Sequence, residues 1–212
     1  RNTYFPKKPK KVGDKLEKII LDADILSSLM FDVSTGLNFA GRLKHELKMT
    51  STSEELFESF LNSINKNVAH YYKMTQLVLP ELKKNKGAIV NIGSKVSATG
   101  QGGTSGYAAA CGGRNALTRE WAVELIPYSI RVNSVIVAEC YTPLYKKWVE
   151  SFENPKEKLA SITDKIPLEK RMTTIEEIAN TVAFLISEKS SHTTGQLIYV
   201  DGGYTHLDRT IL

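Results

Sequence analysis

The sequence predicts an α/β fold, a doubly wound and mostly parallel sheet, and three observations carry the prediction. Short apolar runs at residues 88–92 and 130–137 read as strands buried on both faces. Helical patterns alternate with them, over 56–79, 107–126 and 178–186. A last run, 196–200, ends at Asp201-Gly202-Gly203, a turn signal. Strands alternating with helices argue for parallel pairing with helices on both faces.

Taken in order, residues 1–50 are the hardest to read. The runs 19–21 and 25–31 suit strand or helix, and Gly36 and Gly41 punctuate them. From there Thr50, Ser51, Thr52 and Ser53 offer N-caps ahead of Glu54 and Glu55. Leu56, Phe60, Leu61, Ile64, Val68, Tyr71, Tyr72, Leu77 and Leu79 then recur at near-helical spacing, and the helix is expected to end at Pro80. Residues 100–106 are a glycine-rich loop. The helix after it starts at Tyr107, is rich in small residues and stops at Pro127. Residues 143–165 read as a mobile helical excursion, and Thr173 or Thr174 caps the next helix ahead of Glu176 and Glu177.

Composition narrows the function classes. The 212 residues are 42% hydrophobic and 24% charged, ordinary for a globular domain. The net charge of +5 is accounted for by residues 1–18, which hold seven basic and two acidic side chains. With Pro6 and Pro9 among them and little aromatic interleaving, they read as a solvated tail, so neither nucleic acid nor a membrane is the expected partner. No apolar run approaches the roughly 18 residues of a membrane span. With no presequence pattern, the expected location is cytoplasmic. Cys111 and Cys140 form no CxxC pair, which suits a reducing compartment. His45, His70, His192 and His206 lack metal-ligand spacing, so no metal is expected.

In a doubly wound sheet, ligands bind beyond the carboxyl ends of the strands. Ser94 lies past one buried strand, Thr142 past the next, and Tyr107 opens the helix between them, so the three are expected around one crevice. These residues carry a resemblance. Ile89-Val90-Asn91-Ile92-Gly93-Ser94, then thirteen residues to Tyr107, then Thr142-Pro143 and Val200-Asp201-Gly202-Gly203, resemble the short-chain dehydrogenase/reductases. The likeness covers residues 53–208, and the stretches 104–125, 135–145 and 200–209 look closest to sugar-oxidising members related to L-fucose dehydrogenase.

The resemblance implies a Rossmann-like domain over residues 1–212, with 1–50 divergent and 51–212 carrying the catalytic half. It implies an NAD- or NADP-dependent oxidoreductase moving hydride to or from a sugar or polyol. Tyr107 would be the acid/base, Ser94 the anchor of the substrate oxygen, and Asn67 the support of a proton relay. Val137, Cys140 and Thr142 would meet the nicotinamide end of the cofactor, with Thr142 holding its carboxamide or else simply capping a helix. Tyr145 and Trp148 would close over substrate or fill an apolar groove. A homo-oligomer, dimer or tetramer, is expected.

Two departures stand out. The family places a lysine four residues past its tyrosine, where the ammonium favours the phenolate and holds the nicotinamide ribose; here that residue is Cys111. A cation close to an acid lowers its pKa by about 1–3 units, and a thiol offers none. Cys111 reads as a small buried hydrophobe, and Arg114, on the same helical face, as a charge at longer range that cannot relay a proton. On this view Cys111→Lys raises activity at least tenfold, provided a cofactor still binds.

The second departure is the absent glycine-rich phosphate loop, only Gly13 lying in residues 1–35. Asn38, Ala40 and Gly41 resemble the family's NNAG, and Asp32-Val33 its adenine contact; with Tyr107, Cys111, Val137, Cys140 and Thr142 they complete the cofactor residues that the resemblance implies. The first strands would then be missing or rewritten, with 19–21 or 25–31 as replacement. Both departures also support an alternative, a non-catalytic relative serving as a binding or oligomerisation protein.

Overall fold

The structure is a computed structural model in which residues 53–208 are described. Helix α1 (Ser53–Asn85) opens them, and it passes through Pro80 instead of ending there. A proline removes its own amide hydrogen bond. Both Pro80 and Gln76, whose carbonyl loses that bond, are exposed, so the freed acceptor faces solvent. Lys83 and Lys84 in the last turn suit the negative end of the helix dipole. Gly87 N closes the turn on Leu82 O at 3.0 Å. The chain divides into two compact units, Arg1–Asn62 and Ser63–Leu212. In the first, Phe57 and Phe60 of α1 stack with ring centroids 6.4 Å apart. The second holds the sheet.

Three strands, β1 (Ala88–Ser94), β2 (Arg131–Val137) and β3 (Leu197–Val200), pair in parallel in that spatial order. Helix α2 (Val96–Thr99) and helix α3 (Ser105–Glu124) carry the chain from β1 towards β2. Helices α4 (Pro143–Glu150), α5 (Pro155–Thr163) and α6 (Ile175–Ile186) precede β3. Both α3 and α6 pack on β1 and β2. This is the Rossmann-like arrangement that the alternating pattern predicts.

The central strand β2 is buried from Val132 to Ile136, and its polar members are paired. Asn133 Nδ2 donates to Thr193 O at 2.8 Å, and its Oδ1 accepts from Gln196 N at 3.1 Å. Ser134 Oγ donates to Asn91 O at 3.0 Å. An unpaired polar group there would cost about 1–3 kcal/mol, so Asn133 acts as a clip that fixes where β3 begins.

Several boundaries differ from the sequence reading. Strand β1 reaches Ser94 because its register with β2 continues from Ala88↔Arg131 to Ser94↔Val137. Tyr107 is the third residue of α3, which starts inside the expected loop, and Pro127 sits in a separate 3-10 turn, Ile126–Tyr128. The excursion consists of the two helices α4 and α5. Thr174, not Thr173, caps α6, through a capping box with Glu177. Asp32, Val33, Asn38, Ala40 and Gly41, and the runs 19–21 and 25–31, lie outside the described residues.

Candidate active site at the strand ends

Ser94 ends β1 in register with Val137, which ends β2. Its Oγ accepts from Val96 N at 3.3 Å. Its carbonyl accepts from Ser97 Oγ at 2.9 Å, and Ser97 Oγ accepts from Asn115 Nδ2 of α3 at 2.8 Å. This chain of bonds ties the strand end to the helix that carries Tyr107. A hydroxyl both donates and accepts. Among the described residues the Ser94 hydroxyl only accepts, and its proton has no acceptor there.

Thr142 N-caps α4, its Oγ1 accepting from Tyr145 N at 3.2 Å, and it too has no acceptor for its proton among the described residues. Its amide donates to Cys140 O at 2.8 Å. Cys140 makes an isolated parallel bridge with Thr173. Burial, and then the carboxylates of Glu176 and Glu177, push its thiol up, so it is a poor nucleophile.

Tyr107 is half-buried in the first turn of α3. Below it Cys111 is wholly buried and Arg114 is 6% exposed. Arg114 Nη2 lies 2.8 Å from Cys111 Sγ. Arg114 Nη1 reaches Asn67 O at 3.4 Å and Tyr71 Oη at 3.5 Å. The guanidinium carbon stands 5.1 Å from the centroid of the Tyr71 ring and 5.9 Å from that of Tyr107. Burial works against this charge, but Cys111, Tyr71 and Tyr107 outweigh it, so Arg114 is held above the usual arginine range. Asn67 is brought to this cluster through its backbone, while its Nδ2 donates to Ser63 O at 2.7 Å. The Tyr71 hydroxyl donates to Ile92 O at 2.7 Å, which anchors α1 to β1.

A third group gathers one residue from the end of each strand. Lys95, just past β1, is 7% exposed and pairs with Glu139, just past β2. The Lys95 ammonium lies 3.8 Å from the centroid of the Tyr204 ring, just past β3. Gly202 and Gly203 adopt left-handed φ of 61° and 81° in the turn before Tyr204, and the Asp201 carboxylate accepts from Gly203 N and Thr205 N. Glu139 Oε2 also accepts from Tyr145 Oη of α4 at 2.7 Å. Burial, then that hydrogen bond to a carboxylate, pushes the Tyr145 phenol up, so it stays a donor. Among the described residues no group of His, Cys, Asp and Glu side chains suits a metal, and no helix is long and apolar enough to cross a membrane.

The sequence model of the family described as Enoyl-(Acyl carrier protein) reductase matches residues 31–205. The 3-oxoacyl-[acyl-carrier-protein] reductase of Thermotoga maritima is 38% identical over 141 residues, 66% of this chain and 54% of that one. The L-fucose dehydrogenase of Bos taurus is 33% identical over 146 residues, 69% of this chain and 53% of that one. A crystal structure titled Cj0485 dehydrogenase is 49% identical, with a TM-score of 0.70 over 76% of this chain and 61% of that one. The chain belongs to the short-chain dehydrogenase/reductase family. It spans little more than half the length of these two curated relatives.

Members of this family use NAD or NADP and act on small molecules. The finer likeness to L-fucose dehydrogenase is shared with an acyl-carrier reductase at higher identity, so overall similarity does not select the substrate. The donor set at the strand ends fits the nicotinamide end of such a cofactor: the Thr142 proton is free of protein acceptors among the described residues, beside half-buried Val137 and Cys140. Lys95, Glu139 and Tyr204 carry no signal in the sequence taken singly. Knowing that two buried strands pair, the first two residues after each could have been compared, and a lysine across from a glutamate is the sign to look for.

Proposed function

We propose that this chain is an oxidoreductase that moves hydride between NAD or NADP and the carbinol or carbonyl carbon of a sugar or polyol. The observation that carries the proposal is the pairing of Ser94 with Val137 at the sheet's carboxyl edge, tied through Ser97 and Asn115 to the helix that bears Tyr107. When bound, the nicotinamide supplies or takes up the hydride. The rest falls to the chain's own residues. Ser94 donates its free proton to the substrate oxygen and fixes that oxygen's position. Tyr107 takes the hydroxyl proton in oxidation and returns it in reduction, help typically worth about 10²- to 10⁴-fold. Val137, Cys140 and Thr142 hold the carboxamide end, and Asn67 supports the proton path beside Tyr107.

The substrate class rests on Lys95, Glu139, Tyr145 and Tyr204. Their charges cancel, so the group does not attract an anion. Lys95, Glu139 and Tyr145 are held together by an ion pair and a hydrogen bond, and this polar, neutral cluster beside Ser94 suits a hydroxylated substrate better than an acyl chain or a steroid. The bovine relative's action on L-fucose accords with this choice. The homo-oligomer that the family resemblance implies is part of the proposal; a monomer by light scattering would refute it.

The test is to titrate NADH and NADPH against the fluorescence of Trp121 and Trp148, then assay L-fucose, xylitol and acetoacetyl thioesters. Saturable quenching and turnover of a polyol are expected. Quenching by neither cofactor would sink the proposal and favour the non-catalytic reading, and turnover of the thioester alone would move the substrate class.

A further inference from the structure

The loss of the family's lysine leaves Tyr107 without its expected cation, yet a cation is there. Arg114 is buried against Cys111 and Tyr107 of its own helix and against Tyr71 and the Asn67 carbonyl of α1. Among the described residues no carboxylate lies within ion-pairing distance of it, and its Nε is buried without a partner. Burying an ion with only neutral partners costs several kcal/mol. The partners of Arg114 are dipoles and rings, so a phenolate formed at Tyr107 would supply the opposite charge that it lacks. The titratable groups facing it are Cys111, Tyr71 and Tyr107. The Tyr71 hydroxyl is spent on Ile92 O.

We infer that Arg114 is the positioning residue that stabilises the Tyr107 phenolate, taking over the lysine's electrostatic role from one helical turn further along, with Cys111 small enough to admit the guanidinium. This rests on the reading of Tyr107 as acid/base. The division of labour differs from the lysine's. In oxidation the Tyr107 phenolate takes the substrate's hydroxyl proton as the carbonyl forms, and a bound nicotinamide would supply the acceptor for the hydride. Arg114 neither gives nor takes a proton, because a guanidinium stays protonated. The phenol's proton leaves along the path beside Asn67, not through Arg114.

The experiment compares the wild type with Arg114→Met, Arg114→Lys and Tyr107→Phe. Turnover of L-fucose with NAD or NADP is followed against pH. Tyrosinate absorbance is also titrated without cofactor, each protein against its Tyr107→Phe counterpart. Arg114→Met is expected to lower kcat about 100-fold near neutrality with KM changed less than about threefold. The pH at which kcat reaches half its plateau should rise by about one unit or more. The Tyr107 component of the absorbance titration should move up with it, and Arg114→Lys should recover most of both.

A folded Arg114→Met protein with an unmoved profile and unmoved absorbance, or Arg114→Lys no better than Met, overturns the inference. If Tyr107→Phe keeps full activity, the reading of Tyr107 fails first. If Tyr107→Phe is dead and Arg114→Met is unimpaired, only the inference fails. Should Arg114→Met not fold, Cys111→Lys/Arg114→Val returns the cation to the earlier turn. Wild-type-like pH dependence in that variant supports the inference, and its absence in a folded protein refutes it. Where no polyol is turned over, the cofactor-free absorbance titration alone decides.

Discussion

Arg114 Nη2 sits 2.8 Å from the sulfur of Cys111, and that contact changes what position 111 can be. The sequence leads one to expect that Cys111→Lys restores a missing cation and gains activity at least tenfold. The contact argues for the opposite outcome. Cys111 is wholly buried, and an ammonium placed there would face a guanidinium already in residence. Two like charges about 4 Å apart repel by about 4 kcal/mol at an effective dielectric near 20. Cys111→Lys is therefore expected to lose roughly 3 kcal/mol or more of stability in urea unfolding and to gain no turnover. Cys111→Ala should lose only about 1 kcal/mol. A tenfold gain in a Cys111→Lys protein of unchanged stability would show that Arg114 does not own the space.

The pair Lys95 and Glu139 makes a second prediction. Side-chain exposures of 9% and 17% put both charges largely out of water. Breaking a buried pair by removing one partner costs about 3–5 kcal/mol, whereas replacing both with apolar groups is often neutral. Glu139→Gln should therefore destabilise by about 3 kcal/mol, and Lys95→Met/Glu139→Leu by much less. If the pair also reads substrate hydroxyls, the double variant stays folded and loses polyol turnover with a raised KM. A stable double variant with unchanged KM would leave the pair a purely structural feature.

What the sequence disclosed and what it hid have a common cause. The alternation of strands and helices, and the thirteen-residue interval from Ser94 to Tyr107, are local patterns, and the structure keeps both elements where the pattern puts them. Pro80 misled because a proline's penalty depends on whether the freed carbonyl reaches solvent, which is a tertiary fact. Lys95 and Glu139 stand 44 positions apart, and only the register Ser94↔Val137 brings them together. Arg114 falls between the cases. Its spacing places it on the face of Tyr107, but the spacing alone suggests longer range than the 5.9 Å observed, because it does not show that Cys111 leaves room.

Beneath the site, Thr118 links helix and sheet. It is wholly buried, its Oγ1 accepting from Asn91 Nδ2 of β1 at 2.9 Å while donating to Arg114 O at the same distance. Thr118→Val keeps the shape and strands the Asn91 amide, a loss of about 1–3 kcal/mol. Because the bond joins β1 to the helix carrying Tyr107 and Arg114, kcat is expected to fall together with stability. Adding Asn91→Leu should restore part of the stability. Thr118→Val with an unchanged urea midpoint would mean that Asn91 finds another acceptor.

The last prediction concerns acid. Glu177 in the capping box of α6 accepts from Arg171 Nη2 at 2.7 Å and from Thr174 N at 2.8 Å. Hydrogen bonds from Arg171 first, and then from the Thr174 backbone, hold its carboxyl down to about 2, against an ordinary 4.5. The unfolded chain takes up this proton near pH 4.5 and the folded one only near 2. The contribution to stability is therefore complete above the higher value, shrinks as pH falls between the two, and is gone below the lower. The pair is solvent-exposed, so the effect is modest and screened by salt. Melting curves of the wild type and Glu177→Gln, collected from neutral pH downward, should converge across that window, and converge less at high salt, where the starting gap is smaller. Arg171→Gln should narrow the gap in the same way. A gap that stays constant with pH would mean that the Arg171–Glu177 contact does not persist in solution.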